Sequence, residues 1–227
     1  PDNALLGFAA SVKAGKNTLF YVQAMLDEFL MEQVRNGYGW YANKQALQLG
    51  VNMHQAFGLK GLHLRGEWNY IRPFMYTHSD TRQNYAHMGQ PLAHPYGSNV
   101  REVLVHADLE RGRWLFSLRG STARMGNDSL YSYGNNIFRP ETDRPPHATL
   151  VYQPYGYYLG GHTAGTLTHA EARVGWTLDP RSALRLEASY TFRQLTPPWS
   201  RTETAHLFRF GLVCHFRERH TEQVARY

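Results

Sequence analysis

A single cysteine, Cys214, stands among 227 residues. That excludes an intrachain disulfide framework and a zinc site built from cysteines, and it says little about compartment. Long uncharged apolar runs are lacking too. No stretch of the length a transmembrane helix needs is free of charge, which excludes a helical membrane protein on the simplest reading. The mean hydropathy of -0.52 looks soluble, yet a transmembrane barrel escapes that exclusion, because only every second residue of its strands must be apolar. A basic stripe is missing as well. The chain carries a net charge of +6 and a pI near 9.5, but its arginines are spread singly, whereas a phosphate-tracking surface needs them clustered. Nucleic acid is therefore not an expected partner. The chain opens at Pro1-Asp2-Asn3 with neither a Met nor a signal-peptide pattern, and so reads as a mature protein or a piece of one.

Aromatics are abundant: 14% of the chain, with 15 Tyr and 5 Trp, a composition suited to strands and membrane-interface belts. Period-two alternation recurs along the whole length, placing one residue set on each face of a strand. Leu6, Phe8, Ala10 and Val12 form one apolar row, and Phe20, Val22, Ala24 and Leu26 a second. Leu47, Leu49, Val51 and Met53 alternate with Gln48, Gly50, Asn52 and His54; Trp68 and Tyr70 alternate with Glu67 and Asn69. The same pattern runs through Val103 to Leu109, Trp114 to Gly120, Ala170 to Trp176, Leu184 to Phe192 and Phe208 to Phe216.

A soluble sandwich also alternates, and connection lengths break the tie. Tight links near residues 14–17, 57–61, 110–113 and 179–182 interleave with long ones at 29–43, 78–99, 126–163 and 195–204. A meander in which every second connection is long carries all its long loops at one end, as barrels with short periplasmic turns and long extracellular loops do. The row opposite the apolar one holds Arg65, Glu67, Asp108, Arg119, Glu171, Arg173, Arg185 and Glu187. Those charges would be costly in a dry sandwich and are at ease in a wet lumen. Trp68, Tyr70, Tyr190 and Phe192 fall toward the long-loop end, and Trp114 and Trp176 toward the short-turn end, as interfacial girdles would. The expectation is an all-β fold: an antiparallel up-and-down transmembrane β-barrel in the bacterial outer membrane. Nine strands are counted where single-chain barrels close with an even number, so residues 1–227 are read as the C-terminal portion of a larger barrel, ending on a strand near His206 to Phe216.

The most distinctive run is Arg72-Pro73-Phe74-Met75-Tyr76-Thr77-His78 followed by Asn84-Tyr85-Ala86-His87-Met88-Gly89-Gln90-Pro91-Leu92-Ala93-His94-Pro95-Tyr96-Gly97-Ser98-Asn99. It resembles the Wzi-type capsule-assembly family of outer-membrane barrels, and within it the RemB-like gliding-motility branch. Glu102, the run Tyr133-Gly134-Asn135-Asn136-Ile137-Phe138 and Arg209-Phe210-Gly211-Leu212 look similar too. The resemblance covers the chain from about Leu62 onward. It implies an outer-membrane barrel that binds or helps assemble surface polysaccharide, lectin-like and non-catalytic. The tail departs from the pattern: Phe216 is followed by Arg217-Glu218-Arg219-His220 and more before Tyr227, so two aromatics compete as the assembly signal.

His78, His87 and His94 share one loop, but a Pro- and Gly-rich segment without a carboxylate cluster gives no metal geometry, and neither metal nor cofactor is expected. Asn84, Gln90 and Asn99 suit turn capping and bonds to loop carbonyls. The functional alternative is a rigid loop packed over the pore, presenting aromatic faces and amides to sugar. On that reading Arg72, Tyr76, Asn84, Tyr85, His87, Gln90, His94, Tyr96, Asn99, Arg119, Tyr133 and Asn135 are the candidate ligand-binding residues. Tyr131, Tyr152, Tyr155, Tyr157 and Tyr158 fit a sugar platform or an interface belt equally. The inner arginines could attract an anionic polymer or simply pair with Glu67, Glu171 and Glu187. Expected partners are outer-membrane lipid, surface polysaccharide and, on a second reading, subunits of a secretion or gliding-motility complex. A third reading, a pore or barrel hydrolase, would use Ser117, Ser121 or Ser189 with His106 and Asp108 nearby, although no nucleophile motif brackets those serines.

Overall fold

The computed structural model describes residues 5–161 and 164–214. Alternating sequence becomes a nine-stranded antiparallel meander: β1 (Leu6–Ala14), β2 (Thr18–Leu26), β3 (Gln45–His54), β4 (Leu62–Ile71), β7 (Val100–Arg111), β8 (Trp114–Gly126), β9 (Ala164–Asp179), β10 (Leu184–Thr196) and β11 (Glu203–Val213). A two-stranded hairpin, β5 (Ala86–His87) with β6 (Gln90–Pro91), lies inside one long loop, and a six-residue helix, α1 (Met31–Asn36), inside another. Short links join β1 to β2, β3 to β4, β7 to β8 and β9 to β10 at one end of the sheet; long loops join β2 to β3, β4 to β7 and β8 to β9 at the other, where the β10–β11 connection, 197–202, is no longer than the 55–61 link. The last strand starts earlier than expected, at Glu203. His215, Phe216 and the tail through Tyr227 lie outside the described residues.

Register keeps the two faces apart across the full width, because a one-residue slip would swap them. Val12, Phe20, Val51, Gly66, Val105, Gly120, Ala170 and Phe192 stand side by side on one face. Asn52, Arg65, His106, Arg119, Glu171 and Thr191 stand side by side on the other. The apolar face stays open: Phe8 is 62% exposed, Leu118 58% and Phe208 76%. Among the described residues the sheet does not close, since β1 and β11 each pair on one side only. No described helix is long and apolar enough to cross a membrane.

On the polar face the charges pair. Arg173 reaches Glu171 at 2.9 Å and Glu187 at 3.7 Å, Arg185 reaches Glu187 at 3.1 Å, and Arg209 reaches Glu171 at 2.7 Å. Arg65 and Tyr21 both meet the Glu67 carboxylate. The tyrosine ring lies across Gly50, where any Cβ would collide with it. Trp114 and Trp176 meet edge to face at 4.5 Å beside the short turns.

Burial is concentrated at the long-loop end. There the polar face ends in an apolar row, Met25, Ala46, Ile71, Val100 and Met125, aligned across five strands. Met75, Tyr76 and Ile137 pack onto that row from two of the loops and close the buried cluster. Each such side chain removed from water contributes about 1.5–3 kcal/mol. The sheet provides a seat, and the loops form a cap upon it.

Candidate functional site

The cap is laced from three loops. Residues 72–99 meet residues 127–163 through the Phe74 amide on the Gly134 carbonyl at 3.1 Å and the Ser98 amide on the Asn135 carbonyl at 3.1 Å. Gly134 sits at φ 77°, where a Cβ would collide with the Phe74 backbone, so this close approach requires glycine. The first loop joins through the Tyr157 amide on the Gly39 carbonyl and the Gly156 amide on the Tyr38 carbonyl, both at 2.9 Å. The Arg144 guanidinium lies over the Tyr41 ring at 3.4 Å from its centroid and donates to the Glu141 carbonyl at 2.6 Å.

An ion cluster locks the lacing from within. Lys44 is fully buried, with Nζ 2.9 Å from Glu141 Oε2, 3.6 Å from Asp27 Oδ2 and 2.9 Å from the Thr77 carbonyl. His78 Nε2 reaches the same Asp27 oxygen at 3.1 Å. A buried lysine is tolerable only with such partners. Sequence reasoning passed over Lys44, Asp27 and Glu141, because they lie far apart along the chain and none sits in an alternating run.

Between the 72–99 loop and the polar face of β2, β3, β4 and β7 lies a cavity of about 600 Å³. Its floor is one register row, Gln23, Gln48, Asn69 and Glu102. The row is internally bonded: Gln48 Nε2 donates to Asn69 Oδ1 at 3.0 Å, and Asn69 Nδ2 donates to Glu102 Oε2 at 3.0 Å. His94, descending from the loop, meets Glu102 Oε2 at 2.9 Å. Tyr76 and Tyr85 stack 29° from parallel with centroids 5.7 Å apart, and both line the roof. Burial pushes the Tyr76 hydroxyl up to about 12. Tyr96, packed against the His94 ring, is raised by burial too.

Three of the twelve candidate residues therefore line this cavity: Tyr76, Tyr85 and His94. Five others are struts, among them Tyr133, whose amide donates to Asp128 Oδ1 at 2.7 Å. Arg72 Nη2 donates to the Trp40 and Tyr157 carbonyls, each at 3.3 Å. Asn84 accepts from the His78 amide at 2.7 Å and donates to the Ile137 carbonyl at 2.7 Å. Asn99 donates to the Tyr133 carbonyl at 3.0 Å and accepts from the Gly160 amide at 2.8 Å. Asn135 Nδ2 donates to the Ser98 carbonyl at 2.8 Å. Tyr96 supports His94 from outside the lining. His87 and Gln90 face each other, exposed, on the small hairpin. Arg119 stands exposed in the wall, beside Glu171 in register.

Gln23, Gln48 and Asn69 were not singled out from sequence. Their signal is positional: each stands two residues from the apolar seat row, on the same face. Elsewhere on that face the Ser117 hydroxyl donates to Asp108 Oδ1 at 2.6 Å, and His63 Nδ1 lies 3.9 Å from Asp108 Oδ2. Among the described residues no group of three or more His, Cys, Asp or Glu side chains could hold a metal ion. Comparison with family models, with characterised proteins and with solved structures gives no match.

Proposed function

We propose that this chain is part of an outer-membrane β-barrel whose loop-capped inner face binds or helps assemble a surface polysaccharide, lectin-like and without catalysis. The cavity under the 72–99 loop carries the reading. It combines the stacked Tyr76 and Tyr85 with the amides of Gln48 and Asn69. Aromatic faces take the C–H surface of a pyranose while amides and carboxylates take its hydroxyls, and convergent polar groups in a concave, part-apolar site mark a ligand pocket. The membrane part rests on the exposed apolar face opposite a paired, charged one, on strands of nine or more residues, and on long loops gathered at one end. The loop's resemblance to the Wzi-type family, in its RemB-like branch, points the same way.

The test is a glycan-binding measurement on the intact outer-membrane protein with capsular and exopolysaccharide fragments. Saturable binding is expected, weakened about tenfold, or 1.4 kcal/mol, by Tyr85→Ala. Absence of saturable binding, with protein partners co-purifying instead, would sink this reading. It would favour a second one, a structural subunit of a secretion or gliding-motility complex.

A further inference from the structure

The chain as a whole is basic, with 24 Lys and Arg against 18 Asp and Glu, yet the cavity under the cap is not. Of its sixteen lining residues none is Lys or Arg, while Glu67 and Glu102 are carboxylates and His94 is the one basic side chain. Glu102 is 6% exposed and Glu67 7%. Arg65 offsets Glu67 from outside the lining. The two donors on Glu102, from Asn69 and His94, both meet Oε2. Apart from Arg65, the ion-paired cations of the polar face stand elsewhere: Arg173, Arg185 and Arg209 lie on β9, β10 and β11, tied to Glu171 and Glu187.

We infer that the cavity selects a sugar unit by charge: it takes one bearing a free amine first and a neutral one second, and it excludes a uronate. This rests on the glycan reading above and adds the class of sugar. The physical ground is desolvation. A carboxylate entering the cavity gives up its water and meets two carboxylates, with no guanidinium or ammonium and only the amides and His94 as donors, so the loss is not repaid in full. An ammonium meets Glu102 instead. A hydroxyl-bearing ring meets Gln48, Asn69 and the tyrosine pair without penalty. Net charge would suggest the reverse, since a basic protein attracts acidic polymers over long range. Within the cavity the short-range groups decide.

The experiment measures binding of glucosamine, glucose and galacturonate oligomers of equal length to the intact protein at neutral pH. Affinity should fall in that order, by at least about tenfold from first to last. Glu102→Gln should narrow the spread by weakening the glucosamine oligomer and strengthening the galacturonate one. Because Glu102 also holds His94, a second variant keeps the test independent of that contact: Gln48→Lys, at the cavity floor, should raise galacturonate affinity about tenfold. A galacturonate oligomer that binds the unaltered protein as tightly as the glucosamine one overturns the charge selection and leaves glycan binding standing. Binding of none of the three overturns the glycan reading and this inference together.

Discussion

The cap and the wall of this protein obey different rules of burial. In the cap, Lys44, Phe74, Met75, Thr77, Ser98 and Ser132 are wholly withdrawn from solvent, although four of the six are polar. Along β11, Phe208 is 76% exposed and Phe210 75%, although both are among the most apolar side chains available. A water-soluble domain would reverse these assignments, hiding the phenylalanines and leaving the lysine outside. The contrast teaches that, among the described residues, nothing covers the apolar face of the wall, while the cap is a small core held together by its own contacts.

The strongest way to break the comparison is Lys44→Met. It strands the Asp27 and Glu141 carboxylates in the cap, and removing one partner of a buried ion cluster costs about 3–5 kcal/mol. Limited proteolysis should then cut the 72–99 and 127–163 loops while the strand circular dichroism persists; equal loss of both would show that cap and wall are one cooperative unit. On the wall, Phe208→Arg should cost about 2–4 kcal/mol in lipid bilayers and leave cap proteolysis unchanged. An unaltered unfolding midpoint in bilayers would count against lipid on that face.

Alkaline pH acts on the cap. Burial raises the Tyr76 hydroxyl to about 12 from its ordinary 10.0. The stability it confers is therefore complete below about pH 10 and is lost as the pH rises toward 12, to an extent on the order of 2 kcal/mol. Tyr76→Phe should reduce that dependence, the part set by Tyr157 and Tyr96, which burial also raises, persisting in an alkaline titration followed by tyrosinate absorbance and loop cleavage. Gly134→Ala, at φ 77° against Phe74, should destabilise the cap by about 1–2 kcal/mol, read as earlier thermal loss of loop protection. Smallest is Arg209→Gln. Its pair with Glu171 is more than half exposed on the arginine side, so a change within about 1 kcal/mol is expected in chemical denaturation.

The wall was legible in the sequence and the cap was not, for a physical reason. Period two is enforced residue by residue, so Leu47, Leu49 and Val51 announce their face within one strand, and the loops announce themselves by interrupting it. Cap contacts follow no period. Asn84 and Asn99 were readable as carbonyl-bonding residues because asparagine does this locally wherever turns are tight, but nothing nearby shows that Asn99 would reach Tyr133. The cavity was half visible. Tyr76, Tyr85 and His94 stand in a conspicuous motif, whereas Gln23, Gln48, Asn69 and Glu102 become neighbours only once four strands are in register.

The lacing of the three loops also sets an order of events. Every second pair of neighbouring strands meets through a turn of a few residues, so those hairpins can zip locally. Arg72 must find the Tyr157 carbonyl 85 residues away, and Tyr158 must find the Gly37 carbonyl across 121. Closing such long loops is entropically costly until the hairpins between them are made. The cap therefore forms last, and the polar face remains open to whatever surrounds the nascent sheet until its final rows are joined.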